Sequence, residues 1–166
     1  MADSTEIKAI GKLFAGDVVS AKLAAAYITV DGKRYLLFQA KNLKATIEKT
    51  KKEVPILGQV MSGNRAVGSK GSGSLTIYYN TNKFDEMMEQ YVKTGQDVYF
   101  DMQIINEDPM SKAGRKTVVL LNCNIDKVDI ANFDADGDWL EQDIDFTFEG
   151  FKRAEKFTEL SQKAVK

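Results

Sequence analysis

Hydrophobic and polar positions alternate along much of the chain, and this alternation is typical of β-strands that bury one face. The segments NLKATIEK (42–49) and QDIDFTFEGF (142–151) show the alternation most clearly. In AAYITVDGKRYLLFQ, two β-prone runs are separated by Asp31-Gly32, a dipeptide that strongly predicts a hairpin with a two-residue turn. Further strands are predicted in SLTIYYN, DVYFDMQII and KTVVLLNCNIDKVDI.

One segment, TNKFDEMMEQYVKTG, has the spacing of an amphipathic α-helix. Its apolar residues recur at i, i+3, i+4, i+7 and i+8, so they form a single stripe, and Gly95 can end the helix. A stripe of this kind needs a sheet to lie on. The pattern therefore predicts a mainly β protein with one main α-helix (α+β), in which the helix flanks a β-sandwich or barrel. The stripe consists of Phe84, Met87, Met88, Tyr91 and Val92.

The length of 166 residues predicts a single domain, residues 1–166. Within it we expect an N-terminal arm at 1–22, an extended loop at 51–73, and a tail or short helix at 151–166. The N-terminus lacks a basic start followed by a continuous apolar run, so neither a signal peptide nor a membrane span is predicted. The expectation is a soluble protein that is made in the cytoplasm and does not itself bind membranes.

Composition argues against several kinds of functional site. The formal net charge of −1 gives no global attraction to nucleic acid or anionic lipid. Histidine is absent, which removes the commonest general base and metal ligand. Cys123 is the one cysteine, so no intramolecular disulfide can form, and its apolar surroundings predict a small buried side chain. We therefore predict no enzyme activity, no cofactor and no catalytic or metal site.

Charge is distributed unevenly along the sequence. Residues 33–70 carry nine lysines and arginines against two glutamates, whereas residues 126–149 carry nine acidic residues against one lysine. A chain with a basic front and an acidic back can attract copies of itself head to tail. The alternative is that both segments are ordinary solvated faces, since surface ion pairs contribute little.

A sequence close to a phosphate-binding loop starts at Gly63 and reads GNRAVGSK. A true phosphate-binding loop, G-x-x-x-x-G-K-[ST], leads into a helix whose N-terminal amides hold the anion. Here the glycines lead into the predicted strand SLTIYYN, and lysine and serine are transposed. The pattern does not support a nucleotide site.

The acidic segment NFDADGDWLEQD resembles a calcium-binding loop in its spacing. Oxygen-bearing residues occupy positions 1, 3, 5 and 12, with glycine at position 6. The segment departs from that loop because Asn comes first, Asp comes last, and no amphipathic helix flanks it. An acidic turn between strands is the alternative. The four oxygen-bearing residues are Asn132, Asp134, Asp136 and Asp143.

The segment 51–73 is long for a connection in a compact domain, and it carries apolar residues with little polar cover. Such a segment either marks a protein–protein contact or is one more core strand followed by a solvent loop.

Several ordered segments together resemble the tail tube proteins of contractile-tailed phages and phage-like particles of Gram-positive bacteria. The resemblance runs from about Tyr27 to about Phe157. It rests on EKTKKEVPILGQVMSGNRAVGSKGSGSLTIYYNTNKF, on MMEQYVKTGQDVYFDMQI and on DIDFTFEGFKRAEKF.

The resemblance implies a structural subunit that forms hexameric rings, which stack into a hollow tube. Strands of neighbouring subunits would join edge to edge around the lumen, with the helix outside. The implied partners are further copies of the chain, the sheath, the baseplate or initiator, and the tape-measure protein. DNA would be a non-specific cargo in the lumen. The implied location is the tail of a virion or phage-like particle, assembled in the cytoplasm of the bacterial host.

The resemblance also assigns roles to residues. The long arm of the family corresponds to 54–73, with apolar residues that contact neighbouring subunits and glycines that act as a hinge. Asp143 and Asp145 are candidates for the lumen, because a channel for DNA should repel phosphate. Three alternatives remain: the tube of an effector-injecting machine, a calcium-binding β-sandwich, and an acid–base enzyme in a barrel. The candidate contact residues are Val54, Pro55, Ile56, Leu57, Val60 and Met61, and the candidate hinge residues are Gly63, Gly68, Gly71 and Gly73.

Overall fold

The computed structural model describes residues 15–20, 22–37 and 40–158. This part of the chain forms eight β-strands and one α-helix, which confirms the predicted mainly β class with one main helix. A single 3-10 turn, Ala15–Asp17, precedes the first strand. The strands are β1 (Ala24–Val30), β2 (Lys33–Leu36), β3 (Ala40–Val54), β4 (Gly63–Tyr78), β5 (Phe100–Glu107), β6 (Arg115–Val128), β7 (Glu141–Phe148) and β8 (Gly150–Glu155), and helix α1 (Lys83–Thr94) follows β4.

All eight strands belong to one antiparallel sheet with the order β2-β1-β5-β6-β7-β4-β3, and β8 pairs with β6 outside this path. Strand β6 joins the two halves of the sheet. Its first part pairs with β5 and β8, and its last part pairs with β7. Because one strand serves both halves, the sheet can fold over on itself and enclose a core between its two layers.

Strand β6 changes partners at Asn122, which has a positive φ of 51°. The backbone N–H of Asn122 donates to Asp101 Oδ1 at 3.1 Å, and its side chain donates to Glu149 Oε2 at 3.0 Å. The register between β5 and β6 shifts next to this point. An extra residue of this kind bends a strand and increases its twist, which is how one strand can turn a corner between two layers.

The turn between β1 and β2 has the conformation that Asp31-Gly32 predicts. Asp31 has φ = 50° and Gly32 has φ = 75°. Two successive residues with positive φ are the signature of the type I′ turn, whose twist matches that of the flanking strands.

The core lies between the layers, where the alternating residues of β4 and β7 meet those of β1, β5 and β6. Cys123 is fully buried there, as predicted, and burial raises the pKa of its thiol to about 12. The thiol therefore stays protonated at neutral pH and behaves as an apolar side chain. The largest fully buried side chains include Ile28, Leu75, Ile77, Phe84, Met102, Ile144 and Phe146.

Helix α1 ends where the sequence predicts, because Gly95 takes a left-handed φ of 71° and its N–H donates to the Tyr91 carbonyl at 2.8 Å. Only part of the apolar stripe of α1 is buried against the sheet. Phe84 and Met87 enter the core, whereas Tyr91 and Val92 remain exposed at the other end of the helix. The helix therefore packs on the sheet mainly through its first two turns.

Gln142 on β7 is fully buried and joins three elements. Its side-chain amide donates to Asp85 Oδ1 at 2.6 Å and to the carbonyl of Asp129 at 2.8 Å. These bonds connect β7 to the first turn of α1 and to the start of the loop that follows β6. Position 142 thereby fixes one end of that loop.

The structure corrects the predicted boundaries at two places. The prediction of a loop at 51–73 is wrong, because β3 continues to Val54 and β4 begins at Gly63. The connection between the two strands is therefore limited to residues 55–62. The tail or helix predicted at 151–166 is also wrong where the structure describes it, since 150–155 is strand β8. Residues 159–166 lie outside the described residues, as does most of the arm predicted at 1–22.

The described part of that arm is bound to the loop between β5 and β6. The N–H of Ser20 donates to Asp108 Oδ2 at 2.8 Å, and the N–H of Lys112 donates to the Gly16 carbonyl at 3.1 Å. Asp108 is buried and also accepts from the N–H of Met110 at 2.9 Å. Residues 16–20 are thus part of the folded body.

Candidate assembly surfaces

The most prominent surface feature is a two-stranded hairpin that projects from the body of the sheet. Strand β4 pairs with β3 from Ile77 to Gly63, but it pairs with β7 only from Tyr78 to Gly71. The remaining part, 48–70, therefore consists of β3 and β4 alone, and we call it the projecting hairpin. At about 3.3 Å per residue, its seven residues in β3 before Pro55 extend about 23 Å beyond β7.

The tip of the projecting hairpin is apolar and open to solvent. Leu57 and Val60 are fully exposed, Met61 is 82% exposed, and Val54 and Ile56 are partly exposed. A monomer gains nothing from apolar side chains in this position, and a contiguous exposed apolar patch usually marks a contact with another protein. The sequence prediction of candidate contacts at 54–61 thus falls on one exposed tip.

The stem of the projecting hairpin is basic. It carries five lysines and arginines and two glutamates, Glu48 and Glu53, which gives a net charge of +3. All of these side chains are exposed. The basic residues are Lys49, Lys51, Lys52, Arg65 and Lys70.

The predicted hinge is wrong for Gly71 and Gly73, which lie in the fully paired part of β4. A Cβ atom on Gly71 would lie 2.6 Å from the ring of Phe148, and one on Gly73 would lie 2.4 Å from the ring of Phe146. Both distances are too short for real contacts. These glycines therefore make room for two core aromatic rings of β7 and do not serve a moving joint.

The other two hinge candidates are also paired residues of β4. Gly63 pairs with Val54, and a Cβ added to it would lie 3.3 Å from the Ile56 side chain, whereas a Cβ added to Gly68 would meet no atom within 4 Å. The glycine that the turn itself requires is Gly58, with φ = 80°. The sequence signal for this turn is the position of Gly58, which is the single glycine between the apolar pairs Ile56-Leu57 and Val60-Met61.

The pairing of β4 also shows that GNRAVGSK is not a phosphate-binding loop. The segment GNRAVGSK lies within β4, and no helix follows it directly. Helix α1 begins only at Lys83. The N-terminal amides that would hold a phosphate are therefore remote in sequence from these glycines.

A second exposed surface is the β6–β7 loop, residues 129–140. It lies at the end of β4 opposite the hairpin tip, because Tyr78 pairs with Glu141 and the Tyr79 N–H donates to the Leu140 carbonyl. The 16 residues of β4 separate the two surfaces, a distance of about 50 Å along the strand. The loop presents the exposed apolar side chains Ile130, Phe133 and Trp139 among the acidic residues Asp129, Asp134, Asp136 and Asp138.

Hydrogen bonds hold the β6–β7 loop in place. The Tyr79 hydroxyl donates to the Ile130 carbonyl at 2.8 Å, and the Asn132 amide donates to the Glu141 carbonyl at 2.7 Å. The indole N–H of Trp139 donates to Glu141 Oε1 at 2.9 Å, and the same carboxylate accepts from Lys41 at 2.5 Å. The hydrogen bonds from Lys41 and Trp139 lower the pKa of Glu141. The loop is therefore ordered before any partner arrives.

Residues of the segment that resembles a calcium-binding loop are engaged in hydrogen bonds within the protein. Asp134 accepts the N–H of Asp136, the amide of Asn132 points to a backbone carbonyl, and Asp143 accepts from Thr76. Within the described ranges, no three acidic or cysteine side chains group as metal ligands would. The interpretation as a turn between strands fits this geometry.

Asp143 and Asp145 lie on the face of β7 that points away from the core. In register, Asp145 is opposite Ser74 and Asp143 is opposite Thr76, whose hydroxyl donates to Asp143 Oδ1 at 2.8 Å. Lys44 of β3 is opposite Ser74 on the same face, so the charge there is mixed. We call this surface the polar face. Its residues on β3, β4 and β7 are Asn42, Lys44, Thr46, Ser72, Ser74, Thr76, Asp143, Asp145 and Thr147.

Among the residues that the structure describes, no helix has the length and hydrophobicity needed to cross a membrane.

Comparison with known proteins identifies relatives in sequence and in fold. Residues 11–155 match the profile of the family described as "Phage tail tube protein". The phage-like element PBSX protein XkdM of Bacillus subtilis (strain 168) is 38% identical over 138 residues, which cover 79% of this chain and 94% of the relative.

Two solved structures share the fold at low sequence identity. A chain in the six-fold symmetrised baseplate of the anti-feeding prophage has a TM-score of 0.59 and 11% identity, over 78% of this chain and 91% of that one. A chain in the tail of an empty gene transfer agent particle has a TM-score of 0.55 and 12% identity, over 83% and 100%. With the family match across 11–155 and a 38% identical relative, the chain belongs to the phage tail tube protein family.

Proposed function

We propose that this protein is the structural, non-enzymatic subunit of a contractile tail tube, in which hexameric rings stack around a hollow channel. The observation that carries the proposal is the projecting hairpin, whose apolar tip is left exposed by the residues that the structure describes. Family membership supports the same conclusion. The two solved assemblies with this fold were both determined with six-fold symmetry.

Ring closure is supported by open edges among the described strands, two of which are β3 and the last part of β6. Strand β3 is an edge strand of 15 residues that pairs with β4 on one side. The last part of β6 pairs with β7, and its partners β5 and β8 bind only the earlier part. A long unpaired edge is an aggregation hazard in a monomer. Joining the part of β3 that lies on the body of the sheet (40–47) to the end of β6 in the next subunit would continue the sheet between subunits and shorten the unpaired edge of each.

The polar face is the proposed channel lining. It carries hydroxyl groups and two carboxylates, which attract phosphate weakly or repel it, but Lys44 makes it less acidic than the sequence predicts. DNA would pass as a non-specific cargo. The sheath would surround the tube, while baseplate and tape-measure proteins would start it and set its length, in the tail of a phage-like particle assembled in the host cytoplasm.

Self-assembly is tested by negative-stain electron microscopy of the purified protein at rising concentration, with light scattering alongside. We expect rings with a central hole or stacked tubes above a threshold concentration, because head-to-tail contacts that do not close grow into a filament. A sample that remains monomeric at every concentration and salt level contradicts the proposal.

The channel lining is tested by labelling an introduced cysteine. Because Cys123 is buried and its thiol pKa is raised to about 12, Asp145→Cys provides the reactive thiol. After reaction with biotin-maleimide and assembly, streptavidin-gold should bind only at tube ends. Val92→Cys, on the exposed side of α1, is the matched control and should bind gold along the wall. Gold along the walls of Asp145→Cys tubes would place Asp145 outside the channel.

A further inference from the structure

We propose that the β6–β7 loop is the docking site for the tip and stem of the projecting hairpin from a second copy of this chain. The inference rests on the proposed function, and it names the two surfaces that meet between successive subunits. Each surface has an apolar centre and a net charge. The signs are opposite, and the surfaces lie at opposite ends of β4.

The apolar centres match in kind. The hairpin presents Leu57, Val60 and Met61, and the loop presents Phe133, which is 87% exposed, and Trp139, which is 60% exposed. Aromatic and methionine side chains are enriched at the centres of protein interfaces, and thioether–aromatic contacts are favourable. These surfaces are separated by the length of β4, so one chain cannot bring its own tip to its own loop without breaking β4.

The charges of the stem and of the loop are opposite in sign and favour contact between them. The stem of the projecting hairpin has a net charge of +3, whereas residues 129–140 carry Asp129, Asp134, Asp136 and Asp138 and no lysine or arginine. Opposite potentials steer association and fix its register, and like charges in the same place oppose it. A second copy of the chain therefore offers the acidic, apolar loop a matching partner, which is an apolar tip on a basic stem.

The loop is prepared for docking. The indole N–H of Trp139 is already bonded to Glu141, so the ring is held outward with its polar atom satisfied. The Tyr79 and Gln142 hydrogen bonds fix the start of the loop. A surface that is ordered in advance loses less conformational entropy when it binds.

The geometry makes the contact heterologous. The tip and the loop face opposite directions along the strands, so a tip that docks on one loop leaves the loop of its own chain free for a third copy. A contact of this kind propagates and does not terminate as a dimer. It therefore links subunits along a stack.

The test uses charge reversal at both surfaces of the full chain. The hairpin variant is Lys51→Glu with Lys52→Glu, and the loop variant is Asp136→Lys with Asp138→Lys, which leaves the Asp134 turn intact. Each variant alone should need at least about tenfold more protein to assemble. A chain that carries both sets of substitutions has a stem of net charge −1 and a loop of net charge 0, so it should assemble at a lower threshold than the hairpin variant, whose stem (−1) and loop (−4) repel each other. An equimolar mixture of the two variants should also assemble more readily than the hairpin variant alone, because it restores a contact between a +3 stem and a −4 loop.

One control variant and one direct readout accompany this series. Glu86→Lys with Asp97→Lys reverses two exposed acids beside α1 and should assemble like the wild type. Trp139 is the single tryptophan of the chain, so its emission reports on the loop directly. We expect the emission of the wild type to shift to shorter wavelength on assembly, because the tip covers the indole.

Three results would overturn the docking inference while the tube function stands. They are a loop variant that assembles at the wild-type threshold, Trp139 emission that is unchanged in tubes, and a chain with both sets of substitutions that assembles no better than the hairpin variant. A wild type that never assembles would instead end the proposed function, and the inference with it.

Discussion

Replacing Ile56 and Leu57 with aspartate is expected to prevent tube assembly while the monomer stays folded. The two carboxylates would have to be buried against an apolar partner surface, which costs several kcal/mol without a compensating charge. The threshold concentration for assembly should rise at least about a hundredfold. Both side chains are at least partly exposed in the monomer, so its free energy of unfolding should change by less than about 1 kcal/mol. Sedimentation velocity and urea unfolding measure the two quantities.

The matched control for this variant is Val92→Asp, which adds a carboxylate at another exposed apolar residue, far from the tip in sequence. It should assemble at the wild-type threshold. Leu57→Met, which keeps an apolar side chain at the tip, should also assemble. Normal polymerisation of the double aspartate variant would remove the projecting hairpin from the assembly contact.

Gly73→Ala is expected to destabilise the folded chain by about 1–3 kcal/mol, because overpacking a core forces strain on its neighbours. The added methyl group would lie 2.4 Å from the Phe146 ring and 2.8 Å from the backbone carbonyl of Lys44. The ring can move only by disturbing the core, and the carbonyl can move only by disturbing the pairing of β3 with β4. Urea unfolding followed by far-UV circular dichroism measures the loss.

Gly68→Ala is the control in the same strand, since an added methyl group there meets no atom within 4 Å. Its free energy of unfolding should stay within about 0.5 kcal/mol of the wild type. Phe146→Leu, combined with Gly73→Ala, should cost less than the sum of the two single changes, because the smaller side chain relieves the overlap. A fully additive result, or a loss at Gly68 as large as at Gly73, contradicts a steric role for Gly73.

The sequence predicts those parts of the fold that depend on local chemistry. Asp31-Gly32 specifies its own turn through two positive φ angles, and Gly95 ends α1 in the same way. The alternation in β7 is visible because its core residues and exposed residues strictly alternate. In each case the residues that determine the structure are neighbours in the chain.

The parts that the sequence does not predict depend on distant partners. Gly68, Gly71 and Gly73 indicate a loop by their low strand propensity, but Gly71 and Gly73 are required by aromatic rings more than 70 residues away. Strand β8 lacks an apolar alternation because its residues are largely exposed, and it is a strand through its backbone bonds to β6. In the β6–β7 loop the acids indicate a turn or a calcium-binding loop, whereas the signal of the proposed contact surface is the pair of exposed aromatic residues Phe133 and Trp139.

The projecting hairpin also bears on when tubes form. A ribbon of two strands is only marginally stable in water, and it gains its full order when a third surface covers it. When two free subunits meet, one hairpin must become ordered for the sake of a single contact, whereas a subunit that joins the end of an existing tube contacts several subunits at once. Growth from a template therefore has a lower kinetic barrier than spontaneous initiation. A cell can hold a pool of unassembled subunits, and polymerisation begins at the place where a starting surface is provided.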